Sequence, residues 1–238
     1  MKKVFFLALA IISLGLVACA ELQKAAQTAL ETSTALTSED IGRGLKEALN
    51  IGISKGADQL SLKDGYFKSA YKILLPPEAR KVTDKLRVIP GYENFENIIL
   101  EKVNRGAEDA AIKAKPIFMQ AIREMTFTDA INILMGDKNA ATQYLQRKTT
   151  DNLYNAFLPV INQSLNKFNA ITYWGDAVNT YNKIPLVQKI NPKLDDYVTK
   201  EALKGLFAMV EKEERNIRAN KISRTTDLLR RVFAKQDK

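Results

Sequence analysis

Histidine is absent from the 238 residues and cysteine occurs once, at position 19. Without them the chain has no Ser-His-Asp hydrolase, no histidine general base, no internal disulfide and no zinc or copper site of the usual Cys/His kind. Metal sites built on oxygen ligands survive by residue type, but no D-x-D-x-D-G loop supports one. "GDKNAA" at 136–141 comes nearest, and its alanines offer no side-chain oxygen, so it reads as a helix start. No metal or cofactor is therefore expected, and no catalytic residue is assigned. The apolar run from Val4 to Leu16 is 13 residues long, short of the roughly 20 that cross a bilayer as a helix. No linker rich in glycine, serine or proline divides the chain. No alternating apolar pattern is long enough for a sheet, so the expected class is all-α.

What is present begins with Lys2 and Lys3, the apolar run and then small residues, the order of a secretory signal. Leu16, Val17 and Ala18 before Cys19 resemble the bacterial lipobox. That resemblance implies cleavage between Ala18 and Cys19 and acylation of the Cys19 thiol, whose thiolate is a strong nucleophile. The expected organisation is a lipoprotein signal peptide at 1–18, a tether at 19–37 and one multi-helix domain at 38–238. The first expected partner is thus the membrane, through an acyl anchor. The expected place is the bacterial envelope, at the outer membrane facing the periplasm in a two-membrane cell, because Ala20 is not aspartate.

Basic residues number 36 against 27 acidic, and removing Lys2 and Lys3 leaves a formal +7. Seven of the basic residues fall between Arg215 and Lys235, against one acid, Asp227. Such a surface favours anionic lipid, polysaccharide or an envelope protein. Arg230 and Arg231, opposite Leu228, Leu229 and Val232, are the candidate contacts. Nucleic acid ranks last, since it rests on charge alone.

Helical periodicity predicts helices over about 38–55, 77–87, 93–114, 116–125, 127–136, 138–148, 150–168, 171–182, 199–219 and 223–234. Thr126 and Asp129 have capping-box spacing, and Pro159 should disturb its helix. Gly44, Ala48, Gly52 and Gly56 form a small-residue ridge that invites a close neighbouring helix, or a ligand in the groove. The stretch "DGYFKSAYKILLPP" turns at Asp64-Gly65, stops at Pro76-Pro77 and contains the one segment expected to be extended, without an evident strand partner.

Two groups of polar residues lie on or beside apolar stripes. Glu214 shares a stripe with Leu203, Leu206, Phe207, Val210 and Ile217; an acid there is costly unless paired. Arg218 follows one turn later, and Arg224 is placed to return from the next helix. Structural ion pairing is the first reading; a carboxylate acting as acid or base in a cleft is the second. In "NRGAED" at 104–109, Asn104 and Glu108 flank the stripe while Arg105 and Asp109 face away. A hydrolase using Glu214 with a second acid, Glu108 or Asp227, is the alternative function, because two carboxyl groups alone can cleave a glycosidic bond.

The blocks "GLKEALNIGI", "NRGAEDAAIKAKPIF", "MTFTDAINILMGDKNAATQYLQRKT", "YNKIP" and "EERNIRANKISRTTDLLRRVF" together resemble the bacterial domain-of-unknown-function family numbered 4197, over about Ser38 to Phe233. Gly106 and Lys221 stand where the family pattern has alanine and proline. The resemblance implies a secreted or lipid-anchored helical envelope protein and carries over no reaction, substrate or catalytic residue. The expected function is a non-catalytic binding or structural domain.

Overall fold

The computed structural model describes residues 36–88, 90–91, 93–167, 169–190, 193–234 and 237; the expected signal, cleavage site and Cys19 lie outside them. Residues 40–238 form one compact unit. All regular structure among the described residues is helical. The helices are α1 (Ser38–Ser61), α2 (Pro77–Leu86), α3 (Phe95–Ala111), α4 (Ala114–Glu124), α5 (Phe127–Met135), α6 (Ala140–Lys167), α7 (Ala170–Asn182), α8 (Asp195–Ala219) and α9 (Asp227–Ala234), with a 3₁₀ turn at Lys221–Ser223 before the last. No described helix is long and apolar enough to cross a membrane.

The centre of the domain is α6, against which α3, α4, α5, α7 and α8 all pack. Its buried Leu145, Leu153, Phe157, Ile161 and Leu165 explain this, since they recur at helical spacing along 28 residues. Two helices were expected here, broken near residue 149. The hydroxyls at the expected break donate backward: Thr149 Oγ1 to the Leu145 carbonyl and Thr150 Oγ1 to that of Gln146. Hydroxyls that bond to the carbonyl four residues back leave the helix intact. Pro159 likewise sits inside the continuous helix. The same reversal moves the start of α8 from the expected Thr199 to Asp195, because Thr199 Oγ1 donates to the Asp195 carbonyl. At Thr126 the cap does form: its hydroxyl accepts from the Asp129 N–H while the Asp129 carboxylate accepts from the Thr126 N–H.

Helix α1 continues past the expected residue 55 to Ser61, and its small-residue ridge meets neighbours closely. A methyl group on Gly44 would stand 2.7 Å from Val232 Cγ2, and one on Gly56 2.9 Å from Met209 Cγ. The ridge therefore admits side chains of α8 and α9, which offsets the helix penalty of its glycines. Between them the groove keeps about 20 Å³, room for roughly one water. The groove-ligand expectation therefore fails on size.

After α1 the chain turns at Asp64, in the left-handed region with φ 71°. Gly65 follows because a side chain there would collide with the Gln59 and Leu60 carbonyls, both 2.5 Å away. Residues 72–76 have no regular structure, and Ile73 pairs its backbone with a side chain rather than a strand.

Candidate functional site

Glu214 lies on α8 opposite the corner where α5 ends and α6 begins. Its Oε1 accepts the Ala141 N–H at 3.0 Å; its Oε2 accepts the Thr142 N–H and the Thr142 hydroxyl, both at 2.8 Å. These amides belong to the first turn of α6, whose N–H groups have no partner within the helix and whose dipole favours an anion. Arg218, one turn along α8, closes the arrangement. Its Nε donates to Glu214 Oε1 at 3.0 Å, while Nη2 and Nη1 donate to the Ile133 and Leu134 carbonyls at the end of α5. One acid–base pair thus caps both sides of the corner, the carboxylate at an N-terminus and the guanidinium at a C-terminus. Both side chains are less than a tenth exposed.

The second polar group holds the irregular segment after α1 onto α3. Asn104, fully buried, accepts the Ile73 N–H at 2.8 Å and donates to the Ile73 carbonyl at 2.9 Å, pairing as a neighbouring strand would. Glu108 Oε1 accepts the Tyr66 and Phe67 N–H groups, and its Oε2 accepts from Arg105 at 2.7 Å. Arg105 reaches on to Asp64 at 2.8 Å and lies over the Phe67 ring. The hydrogen bond from Arg105 is the main reason that the Asp64 carboxyl titrates below its ordinary range. Tyr66, anchored this way, buries its ring and donates its hydroxyl to the Ala202 carbonyl of α8; burial pushes that phenol well above its usual range. Asp109, on the other side of α3, accepts from Ser164 of α6.

Two expectations for the C-terminal region change, and a third stands. Arg224 does not return to Glu214. It is 2% exposed and its Nε and Nη2 donate to the Ile217 and Arg218 carbonyls, capping the end of α8, while Nη1 and Nη2 grip the Asp237 carboxylate at 2.8 Å. Arg224 is the main cause holding the Asp237 carboxyl down at about 2. Asp227 is no companion to a buried acid: its side chain is almost fully exposed at the start of α9 and pairs with Arg230. Arg230 and Arg231 are both exposed, as their placement opposite buried Leu229 and Val232 requires.

The hydrolase alternative needs a carboxyl pair facing one solvent-reached pocket. Glu214 lines only the water-sized, largely apolar space beside α1, and Glu108 is occupied by two backbone amides and Arg105. Among the described residues no group of three or more Asp, Glu or Cys side chains is placed to hold a metal ion. Charge on an apolar stripe was visible in the sequence; the partners, Thr142 and the amides of residues 66, 67 and 141, carry no sequence signal of their own.

Fold and polar groups together define an all-α domain whose buried charges serve as helix caps and loop clamps. The chain belongs to the family described as Protein of unknown function (DUF4197), which it matches over residues 35–234. No curated protein and no solved structure matches it.

Proposed function

We propose that the protein is a lipid-anchored component of the bacterial envelope whose helical domain binds rather than catalyses. The observation that carries the second half is the saturation of Glu214. Both of its oxygens are engaged by two amides, a hydroxyl and a guanidinium, with no space for a substrate beside it. A general acid must instead reach the atom it protonates. The anchor rests on the lipobox-like "LVAC" at 16–19 and the signal pattern before it.

Exposed Arg230 and Arg231 on α9 support an anionic surface, whether lipid, polysaccharide or acidic protein, as what the anchored domain meets. Metabolic labelling with a lipid precursor should mark the parent chain and fail in Cys19→Ala; labelling that survives the substitution contradicts the anchor. Crosslinking in intact envelopes should capture a partner that is lost when Arg230 and Arg231 are both changed to Glu.

A further inference from the structure

Between the start of α2, the middle of α7 and the start of α8 lies a cavity of about 250 Å³, and the loop after α7 forms one wall of it. The cavity is not itself a binding site. The Trp174 indole N–H has no acceptor but is sealed from solvent, as is the unpartnered Oδ1 of Asn50 in α1, so neither offers a bond to a ligand. What the loop presents outward is different.

The loop is fixed at its base. Asn182, the last residue of α7, donates to the Ile190 carbonyl and accepts the Ile190 N–H, so the chain leaves and returns through one side chain. Tyr197 of α8 donates to the Leu74 carbonyl, tying α8 to the segment that leads into Pro76 in the cavity wall.

At the tip Pro185 opens a turn, as its fixed φ favours, and Leu186 follows at φ 64°. That left-handed backbone suits glycine or asparagine and costs a leucine energy. Packing does not compensate, because the Leu186 side chain is fully exposed. A leucine that strains the backbone and buries nothing gives the fold no return, and glycine in its place would serve the fold better. Strain of this kind is kept where a function outside the fold uses it.

The charges around the tip say what that use is. Lys183 and Lys189 flank it, both exposed, with Lys193 further on, and no acidic residue occurs from 177 to 194. The next acids, Asp195 and Asp196, are engaged by Asn162, Tyr154 and Lys200. An apolar tip inside a basic collar matches an anionic bilayer, whose phosphates draw the lysines while its acyl boundary takes the leucine.

We propose that the loop 183–190 is a membrane-insertion finger: Leu186 enters the boundary between headgroups and acyl chains of an anionic bilayer, and Lys183 and Lys189 pair with lipid phosphates. The inference deepens the binding reading above by choosing lipid among its anionic surfaces. It rests on that reading, yet uses neither Arg230 and Arg231 nor the acyl group.

The mature chain, residues 19–238, would carry Cys19→Ser so that no acyl group contributes. Its partition would be measured by flotation with vesicles of phosphatidylcholine alone or mixed with phosphatidylglycerol. The mixed vesicles should bind at least about tenfold more tightly, since each lysine near an anionic surface adds about fivefold. Leu186→Gly should weaken that binding at least about fivefold while the thermal midpoint stays level or rises, a pair of effects that a packing role would not produce. Lys183→Gln/Lys189→Gln should weaken it about tenfold or more. The proposal is overturned if mixed vesicles are not bound, if phosphatidylcholine alone binds as well, or if either variant partitions like the parent. A midpoint lowered by more than about 2 °C in Leu186→Gly also overturns it, because the leucine would then serve the fold. So does a dimer in sedimentation that Leu186→Gly dissolves, which would give the tip to a second copy. If Leu186→Gly partitions like the parent while Arg230→Glu/Arg231→Glu abolishes binding, the anionic-surface reading stands and the finger alone fails.

Discussion

At the α5–α6 corner, Glu214 and Arg218 leave no strong hydrogen-bonding group of the pair unmet, whereas the loop at the cavity beside Trp174 holds Leu186 exposed among lysines. Both places concentrate charge, and only one of them has anything left to offer a partner. In the corner the protein's own helix ends have taken the role that a substrate would need. In the cavity the fold has set the walls with Asn182 and Tyr197, while the Trp174 indole N–H is buried without a partner. A buried acid is therefore a poor guide to activity unless its neighbours are counted, and a side chain exposed at a cost to the backbone is the better one.

The contrast can be broken first at the corner. Arg218→Ala should leave the Glu214 carboxylate buried without its countercharge and free the Ile133 and Leu134 carbonyls. Removing one member of a buried pair costs about 3–5 kcal/mol, which in a domain this size lowers the thermal midpoint by roughly 6–20 °C. A melt within about 2 °C of the parent would show that the corner is not closed in solution. At the second clamp, Asn104→Leu should expose the loss of two buried backbone pairings at Ile73, an effect of about 1–3 kcal/mol for each group left unsatisfied. Urea unfolding would measure it, and amide exchange at residue 73 should rise.

Smaller effects sharpen the same comparison through the glycines. Gly44→Ala forces a methyl group to 2.7 Å from Val232 Cγ2, a stiff buried side chain. Overpacking of about 1–3 kcal/mol should outweigh the gain in helix propensity of about 1 kcal/mol, for a modest net loss in the urea midpoint. Gly175, next to Trp174, has nothing within 4 Å of where a side chain would begin. Gly175→Ala should stabilise α7 by about 0.5–1 kcal/mol, seen as a slightly higher melting temperature. Opposite signs for two glycines would confirm that the α1 ridge is a contact surface while the outer side of α7 is open.

Much of this architecture was legible in the sequence. The all-α class, the capping box at Thr126, the ridge of α1 and the pairing of Glu214 with Arg218 all follow from local spacing and the cost of burying charge. Two boundaries moved at threonines: Thr149, Thr150 and Thr199 each donate to the carbonyl one turn back, which is compatible with the helix running on, so two expected helices are one in α6 and α8 begins earlier. Arg224 was misdirected because Asp237, its real partner, lies 13 residues further on in the chain, with nothing local to join them. The cavity at Trp174 stayed hidden because its lysines come from α2, the loop after α7 and the approach to α8, and only the fold brings them together. The loop beside it stayed hidden because nothing local marks Leu186 for a left-handed backbone; its one sign was the basic, acid-free stretch 177–194.

The central claim, that Glu214 closes the fold rather than serving a reaction, is tested most directly by urea unfolding of Glu214→Gln beside the parent chain. The substitution keeps the shape and one acceptor but removes the charge that faces Arg218 and the start of α6. The account predicts a loss of at least about 3 kcal/mol. Acids held for catalysis tend to be stored at the expense of stability, so their neutralisation leaves stability unchanged or raises it. A Glu214→Gln chain as stable as the parent, or more stable, would contradict the account.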